Sequence, residues 1–221
     1  GLAAAVETVD DPEQAITMFA EALPILPLSL SLPERIGPGR PDPKAAPAVF
    51  EAIDRAVALT RAGRTAAVVT NPIHKATLYQ GGFGHPGHTE YLADGAGLGA
   101  PAVMMLVCAS LRVVPVTVHL PLAQAVAKLS TASIVHCGRR SAESLAVDFA
   151  IARPRIAVAG LNPHAGEDGN LGTEEIDIIA PAVEYLIQAG LSVRGPAPAD
   201  SLFHEAARAG YDAAICMYHD Q

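Results

Sequence analysis

The chain has 221 residues, enough for one large domain or two smaller ones with a real core, and half of them are hydrophobic, which excludes bulk disorder. Fifteen basic residues against 23 acidic ones leave a formal charge of −8, which argues against a nucleic-acid surface but not against a local pocket for a small anion. Aromatic residues make up only 5% and Trp is absent, so Ala, Val, Leu and Ile must fill the core, as in helices packed closely on a sheet.

In chain order, Asp11-Pro12 opens a helix predicted to run to about Leu23, with Asp suited to the N-cap and Pro to the first helical position. Ile25–Leu30 alternates poorly and contains Pro27, and reads as an edge strand or extended loop. The segment 37–43, Gly-Pro-Gly-Arg-Pro-Asp-Pro, is loop. A long helix is predicted from about Lys44 to Ala62, with Val49, Ile53, Ala56 and Val57 on one face and Gly63 as its stop. Short apolar runs follow at Ala66–Thr70, Ala102–Cys108, Val113–Val118, Arg155–Ala159 and Ala213–Met217, and each reads as a strand buried on both faces. Helices are predicted between them at Glu90–Gly95, Pro121–Leu129, Thr131–Ala152, Thr173–Ala189 and Asp200–Ala209. Strand alternating with helix implies an α/β fold with a largely parallel sheet.

Cys108, Cys137 and Cys216 form no CxxC pair, and read as buried reduced thiols of a reducing compartment. No apolar stretch is long enough for a membrane span and no signal peptide is visible, so the expectation is a soluble, cytoplasmic protein. The chain starts at Gly1 and stops at Gln221 directly after an apolar run, and reads like the middle of a longer protein.

Polar clusters follow four of the predicted strands: Asn71-Pro72-Ile73-His74-Lys75, His119-Leu120-Pro121, Asn162–Glu167 and His219-Asp220-Gln221. Ligands of open α/β sheets bind beyond the carboxyl ends of the strands, so these clusters mark a candidate site. Taken singly, His119, His164 and His219 each read as hydrogen-bonded structural residues ahead of ligands, whereas together they could equally hold a divalent ion with positions left open for substrate. Asp220 and Asp200 could tune that site, although Asp200 also suits a helix N-cap. Lys75 could pair with a phosphate or carboxylate, or be simply solvated. A glycine-rich loop, 81–87, leads into His88-Thr89-Glu90 at a helix start whose free N–H groups suit an anion, with capping by Thr89 as the competing reading. Residues 169–175 offer a second helix start of this kind, while His74, His85, His136 and His204 read as structural. No GxGxxG, P-loop or Gly-x-Ser-x-Gly pattern appears, against an ordinary Rossmann dehydrogenase, a P-loop NTPase or a serine hydrolase.

Seven motifs carry a resemblance, in order: Thr70–Lys75, Gly87–Leu92, His119–Leu122, Leu161–Glu167, Gly172–Ile176, Pro198–Phe203 and Met217–Gln221. They are similar to the 4-hydroxythreonine-4-phosphate dehydrogenase (PdxA) family of vitamin B6 biosynthesis, and the Pro-Gly-Arg-Pro-Asp-Pro loop at 38–43 looks like the alphaproteobacterial type. The resemblance implies an isocitrate/isopropylmalate-dehydrogenase-like fold of two α/β subdomains around a cleft, with residues 1–87 a partial first subdomain and 88–221 the second. It implies oxidation of 4-phosphooxy-L-threonine with NAD or NADP and decarboxylation to 3-amino-2-oxopropyl phosphate, by a homodimer whose active site lies at the subunit interface. It assigns His119, His164 and His219 to a divalent metal (Zn, Mg or Co) shared across that interface, and His88 and Thr89 to the phosphorylated substrate, to which the reading of the strand ends adds Asp200 as a substrate-facing carboxylate. The family's Gly-Glu-Pro-Ala-Gly-Ile-Gly segment is absent, as is everything beyond Gln221, where the family places further Lys, Asn and Arg contacts. A chain of these 221 residues alone is expected to be inactive and poorly stable. Within the same fold, the alternative is a paralogue that oxidises a phosphorylated four-carbon sugar acid or a dihydrodiol carboxylate. From other classes, the rivals are a metal-dependent hydrolase or phosphoacyl transferase and a non-catalytic metal-binding remnant.

Overall fold

The computed structural model describes residues 5–33, 36–37 and 39–221. Gly1 and Pro38, on which two of the expectations above fall, lie outside them. The chain divides into two compact units, one ending at Ala102 and one spanning Val103–Gln221, so the expected boundary at 87/88 falls inside the first unit.

In the first unit, β1 (Val6–Thr8) pairs in parallel with β2 (Leu23–Ile25). Asp11 starts the intervening helical segment as expected: its side chain accepts from Glu13 N at 2.9 Å, and Gln14 closes a capping box. The helix is far shorter than predicted, a 3₁₀ turn at Pro12–Gln14 followed by α1 (Ala15–Met18). Pro24 biases Leu23 away from helical backbone, and β2 needs residues 23–25 extended to meet β1. A 3₁₀ turn at Pro43–Ala45, capped by Asp42, leads into α2 (Ala46–Arg61), which stops before Gly63 (φ +70°) as predicted. The helix α3 (Lys75–Gln80) was not foreseen, whereas α4 (His88–Ala96) extends the expected Glu90–Gly95 helix at both ends. Phe83, Leu78 and Ala46 form the small core of this unit, with Phe50 and Tyr91 against it.

The predicted strand at 66–70 does not form: the segment is irregular and Val69 is 95% exposed. β-branched residues favour a strand only where a neighbouring strand supplies hydrogen bonds and a packing face. Among the described residues, none pairs with this segment.

The second unit is built on a five-stranded sheet of order β3-β4-β7-β5-β6. Its strands are β3 (Leu106–Cys108), β4 (Leu111–Thr117), β5 (Arg155–Ala159), β6 (Ser192–Ala197) and β7 (Ala213–Tyr218). The β4–β7, β7–β5 and β5–β6 pairs are parallel, and β3 adds an antiparallel edge through a tight hairpin. Only the end of the predicted 102–108 strand forms, because it is paired solely over Leu106–Cys108. Cys108 therefore lies exposed on an edge, whereas Cys137 and Cys216 are buried as expected. The edge strand β6 escaped prediction, since its Gly195-Pro196 pair breaks the apolar pattern, and edges tolerate Pro.

Side chains of β5 and β7 alternate between two cores. Ile156, Val158, Ile215 and Met217 face one layer, which also holds Ile134, Leu145 and Ile179. Ala157, Ala159 and Ala214 face the other, packed with Leu202 and Tyr211. Fully burying one such aliphatic chain is worth about 1.5–3 kcal/mol.

The helices of this unit are α5 (Leu122–Lys128), α6 (Thr131–Val147), α7 (Ala180–Gln188), α8 (Ala199–Leu202) and α9 (Glu205–Arg208). Helix α6 starts at a Ser130–Ser133 capping box and ends five residues short of Ala152, where Ala150 takes a left-handed conformation (φ 56°). The predicted Thr173–Ala189 helix begins as a π turn at Glu175–Ile179, and Pro181 has no N–H to donate four residues back. The predicted Asp200–Ala209 helix is broken between α8 and α9, because His204 is extended and caps the second turn through Nδ1, 3.3 Å from Ala207 N.

Candidate active site at the carboxyl edge of the sheet

Because β4, β7, β5 and β6 are parallel neighbours, the residues that follow them emerge along one edge of the sheet. In that spatial order they are His119, His219, His164 and, at the second position of α8, Asp200. All four are exposed. The N-cap of α8 is Pro198, so the capping alternative for Asp200 falls away. Helix α8 packs on the turn that carries His164.

The strand ends are tied together by side chains. Thr117 Oγ1 donates to Met217 O at 2.8 Å across β4 and β7. Gln221 accepts from Met217 N at 2.6 Å and donates through Nε2 to Gly160 O, which links the ends of β7 and β5. His219 Nδ1 donates to Asp220 Oδ1 at 2.8 Å, an arrangement that orients an imidazole and leaves the lone pair of Nε2 for a ligand.

His164 sits in an unusual backbone. Residues 164–168 all have positive φ, between 44° and 81°, and His164, Ala165, Glu167 and Asp168 are not glycine. Each such residue costs roughly 1–2 kcal/mol, and strain of this kind collects where function needs a fixed geometry. Glu175, only 4% exposed, holds the start of this turn. Its Oε1 accepts from Leu161 N and Asn162 N, both at 2.7 Å, and its Oε2 from Asn162 Nδ2 at 2.9 Å. Burial pushes the Glu175 carboxyl up, but the bonds from the Asn162 side chain, backbone N–H groups and Leu161 outweigh it and hold the group below its ordinary value. Glu174 takes the other Asn162 amide proton at 2.7 Å. Glu174 and Glu175, which end the second glycine-rich segment, thus serve the donors of Leu161 and Asn162. Sequence reasoning passed over Glu175 as a site residue; the Glu174-Glu175 pair was visible, but its partners lie more than a strand-end away in the chain.

In the first unit, His88 opens α4 with Thr89 beside it, and Gly87 is the N-cap, so Thr89 does not cap the helix. His88 lines a cavity of about 450 Å³ together with Thr70, Asn71, His74 and Asp42. Its Nε2 is buried without a hydrogen-bond partner among the described residues, a donor or acceptor left for a ligand. Lys75 Nζ lies against Gly87 at the start of α4. His74 is structural, capping α3 with Nδ1 at 3.3 Å from Thr77 N, and His85 Nε2 lies 3.5 Å from Asp94.

The donor set at the carboxyl edge suits a divalent ion of the zinc type, with three imidazoles, one of them oriented by a carboxylate. Among the described residues, no three His, Cys, Asp or Glu side chains of the one chain are gathered to hold an ion. His119, His164 and His219 share an edge without converging. No helix among the described residues is long and apolar enough to cross a membrane.

Comparison with known proteins places the chain in a family. The family model described as "Pyridoxal phosphate biosynthetic protein PdxA" matches residues 2–221. A relative from Bradyrhizobium diazoefficiens, named 4-hydroxythreonine-4-phosphate dehydrogenase, is 54% identical over 211 residues, covering 94% of this chain and 61% of the relative. The crystal structure of a Klebsiella pneumoniae protein of that name superposes with a TM-score of 0.89 at 36% identity, covering 98% of this chain and 66% of that one. A terephthalate 1,2-cis-dihydrodiol dehydrogenase from Burkholderia xenovorans superposes less well, with a TM-score of 0.68 at 26% identity and 98% and 79% coverage. The chain thus spans about three fifths of the length of the Bradyrhizobium relative. A match running from residue 2 to residue 221, over both units and all seven motifs, means that the chain belongs to the PdxA family of dehydrogenases.

Proposed function

We propose that the protein oxidises 4-phosphooxy-L-threonine with NAD or NADP and releases CO₂ to give 3-amino-2-oxopropyl phosphate, supplying pyridoxal 5'-phosphate synthesis. The observation that carries this reading is the row His119, His219, His164 and Asp200 following adjacent parallel strands, in a chain whose relatives bear that enzyme name. In the reaction, the secondary alcohol gives its hydride to the oxidised nicotinamide and its hydroxyl proton to the site. The 3-keto acid then loses its carboxylate as CO₂, the bonding pair moves onto the ketone oxygen, and the carbon takes up a proton.

His119, His164 and His219 would hold a divalent ion (zinc, magnesium or cobalt), with the set completed across a homodimer interface as the family resemblance implies. When bound, such an ion supplies Lewis-acid polarisation of the oxygen that changes from alcohol to ketone to enol. Asp220, bonded to Nδ1, would hold the His219 ring so that its Nε2 lone pair could serve such an ion. His88, whose Nε2 is buried without a partner among the described residues, and Thr89 would bind the phosphorylated substrate, and Asp200, in α8, is a further substrate-binding candidate. The protein is expected to act in the cytoplasm.

The test is NADH or NADPH formation on adding 4-phosphooxy-L-threonine, before and after chelation, beside His164→Ala. Metal-dependent turnover lost in the variant supports the reading. Turnover indifferent to chelator and to His164→Ala removes the metal assignment. The Burkholderia dihydrodiol dehydrogenase likeness makes a dihydrodiol carboxylate the second substrate to try, and turnover of that compound alone would move the protein to a paralogous activity.

A further inference from the structure

We propose that Glu175 is a positioning residue, a buried carboxylate around which the left-handed turn is wound so that His164 is presented at the sheet edge. Its functional consequence rests on the reading of His164 as a metal ligand.

After β5 ends at Ala159, the N–H groups of Leu161 and Asn162 no longer serve the strand ladder. Two successive N–H groups in a turn form a concavity for an anion. Here that concavity is filled from within: both donate to Glu175 Oε1 at 2.7 Å. The second oxygen takes the Asn162 side-chain amide at 2.9 Å. The backbone is pressed onto the same carboxylate. A Cβ on Gly166 would lie 2.7 Å from Glu175 Oε2, and one on Gly160 would lie 3.0 Å from Oε1. The turn thus closes around Glu175 on several sides, and His164 and Ala165 lie between these two glycines. Glu175 opens a π turn, a feature frequent at functional sites, and at 4% exposure it acts through the turn rather than on a substrate.

The chemistry demands a carboxylate. Three donors converge on two oxygens, Oε1 taking two of them. Glutamine offers one oxygen and one NH₂, so either the backbone pair or the Asn162 amide would face a donor instead of an acceptor.

The test compares wild type, Glu175→Gln, Glu175→Asp, His164→Ala and, as a control at the opposite edge of the sheet, Asp212→Asn. Three readouts are taken on folded protein: Co²⁺ affinity from the visible absorption of the bound ion, the imidazole ¹H–¹⁵N signals of His164, and amide exchange at Leu161 and Asn162. Glu175→Gln is expected to weaken Co²⁺ binding about 10–100-fold, as loss of an orienting group does. It is also expected to shift the His164 ring signals and speed exchange at both amides, while Asp212→Asn moves none of these. Glu175→Asp keeps both oxygens but shortens their reach, and should give a smaller shift in the same direction. It carries the test if the glutamine variant does not fold. Unshifted His164 signals and wild-type exchange in the folded Glu175 variant overturn the proposal. If wild type and His164→Ala bind Co²⁺ alike, the ligand reading of His164 fails, and the ring signals and exchange alone then decide for or against Glu175.

Discussion

Thr117 and Met217 lie a hundred positions apart in the chain, and the hydroxyl of the first donates to the backbone carbonyl of the second at 2.8 Å. Thr117 ends β4 and is 8% exposed, so this bond closes a buried seam between the strands that deliver His119 and His219. Thr117→Val keeps the shape of the side chain but leaves the Met217 carbonyl short of a donor away from water. Loss of about 1–3 kcal/mol in urea unfolding is expected. A change below a few tenths would mean that the carbonyl finds water or another donor.

The left-handed turn allows a pair of predictions of opposite sign. Gly166→Ala puts a methyl 2.7 Å from Glu175 Oε2 at φ +81° and should cost at least about 1–2 kcal/mol. Asp168 has φ 55° and an exposed side chain, so Asp168→Gly relieves a backbone penalty of that size. After the entropy lost from a freer unfolded chain, the gain should be up to about 1 kcal/mol. Two changes of the same sign in thermal denaturation would contradict the backbone account.

What was legible in the chain follows from which physical signals are local. Strands β4, β5 and β7 were readable because Val114, Ile156 and Ile215 sit in short runs that are apolar on both faces, and the histidines come directly after such runs. The 66–70 run carries the same local signal and forms no strand, since pairing is a property of the neighbour and not of the segment. The left-handed turn was illegible: Ala165 and Glu167 do not favour positive φ, and what holds them there is Glu175, whose role depends on the close approach of Gly160 and Gly166. The edge carrying the histidines could be anticipated; the carboxylate beneath it could not.

The three thiols should separate cleanly by reactivity. Burial pushes Cys137 up to about 11 and Cys216 up to about 12, so both stay protonated and shielded. Cys108 is exposed, and hydrogen bonds from the Ser110 backbone and hydroxyl lower its pKa despite some desolvation. A thiol reagent at mildly alkaline pH should therefore label one cysteine rapidly in the native protein and all three in denaturant. Cys108→Ser should abolish the fast phase. Fast labelling that survives this change would show that Cys137 or Cys216 is reached through local opening.

At the amino-terminal edge of the sheet, Arg155 grips Asp212 through Nη2–Oδ1 at 2.9 Å and Nε–Oδ2 at 3.1 Å, and its own N–H adds a third bond at 2.7 Å. The side-chain bonds from Arg155 hold the Asp212 carboxyl below its usual range, against the upward push of partial burial, with help from the Arg155 backbone and Arg112. An unfolded aspartate titrates at about 3.9. Because the folded value lies lower, the stabilisation is complete above that pH and is lost as pH falls through the folded value. Asp212→Asn should therefore unfold at lower urea than wild type at neutral pH, and the gap should narrow progressively below about pH 4. A gap that stays constant into strong acid would assign the effect to the shape of the Asp212 turn, because a charge that has been neutralised can no longer attract Arg155.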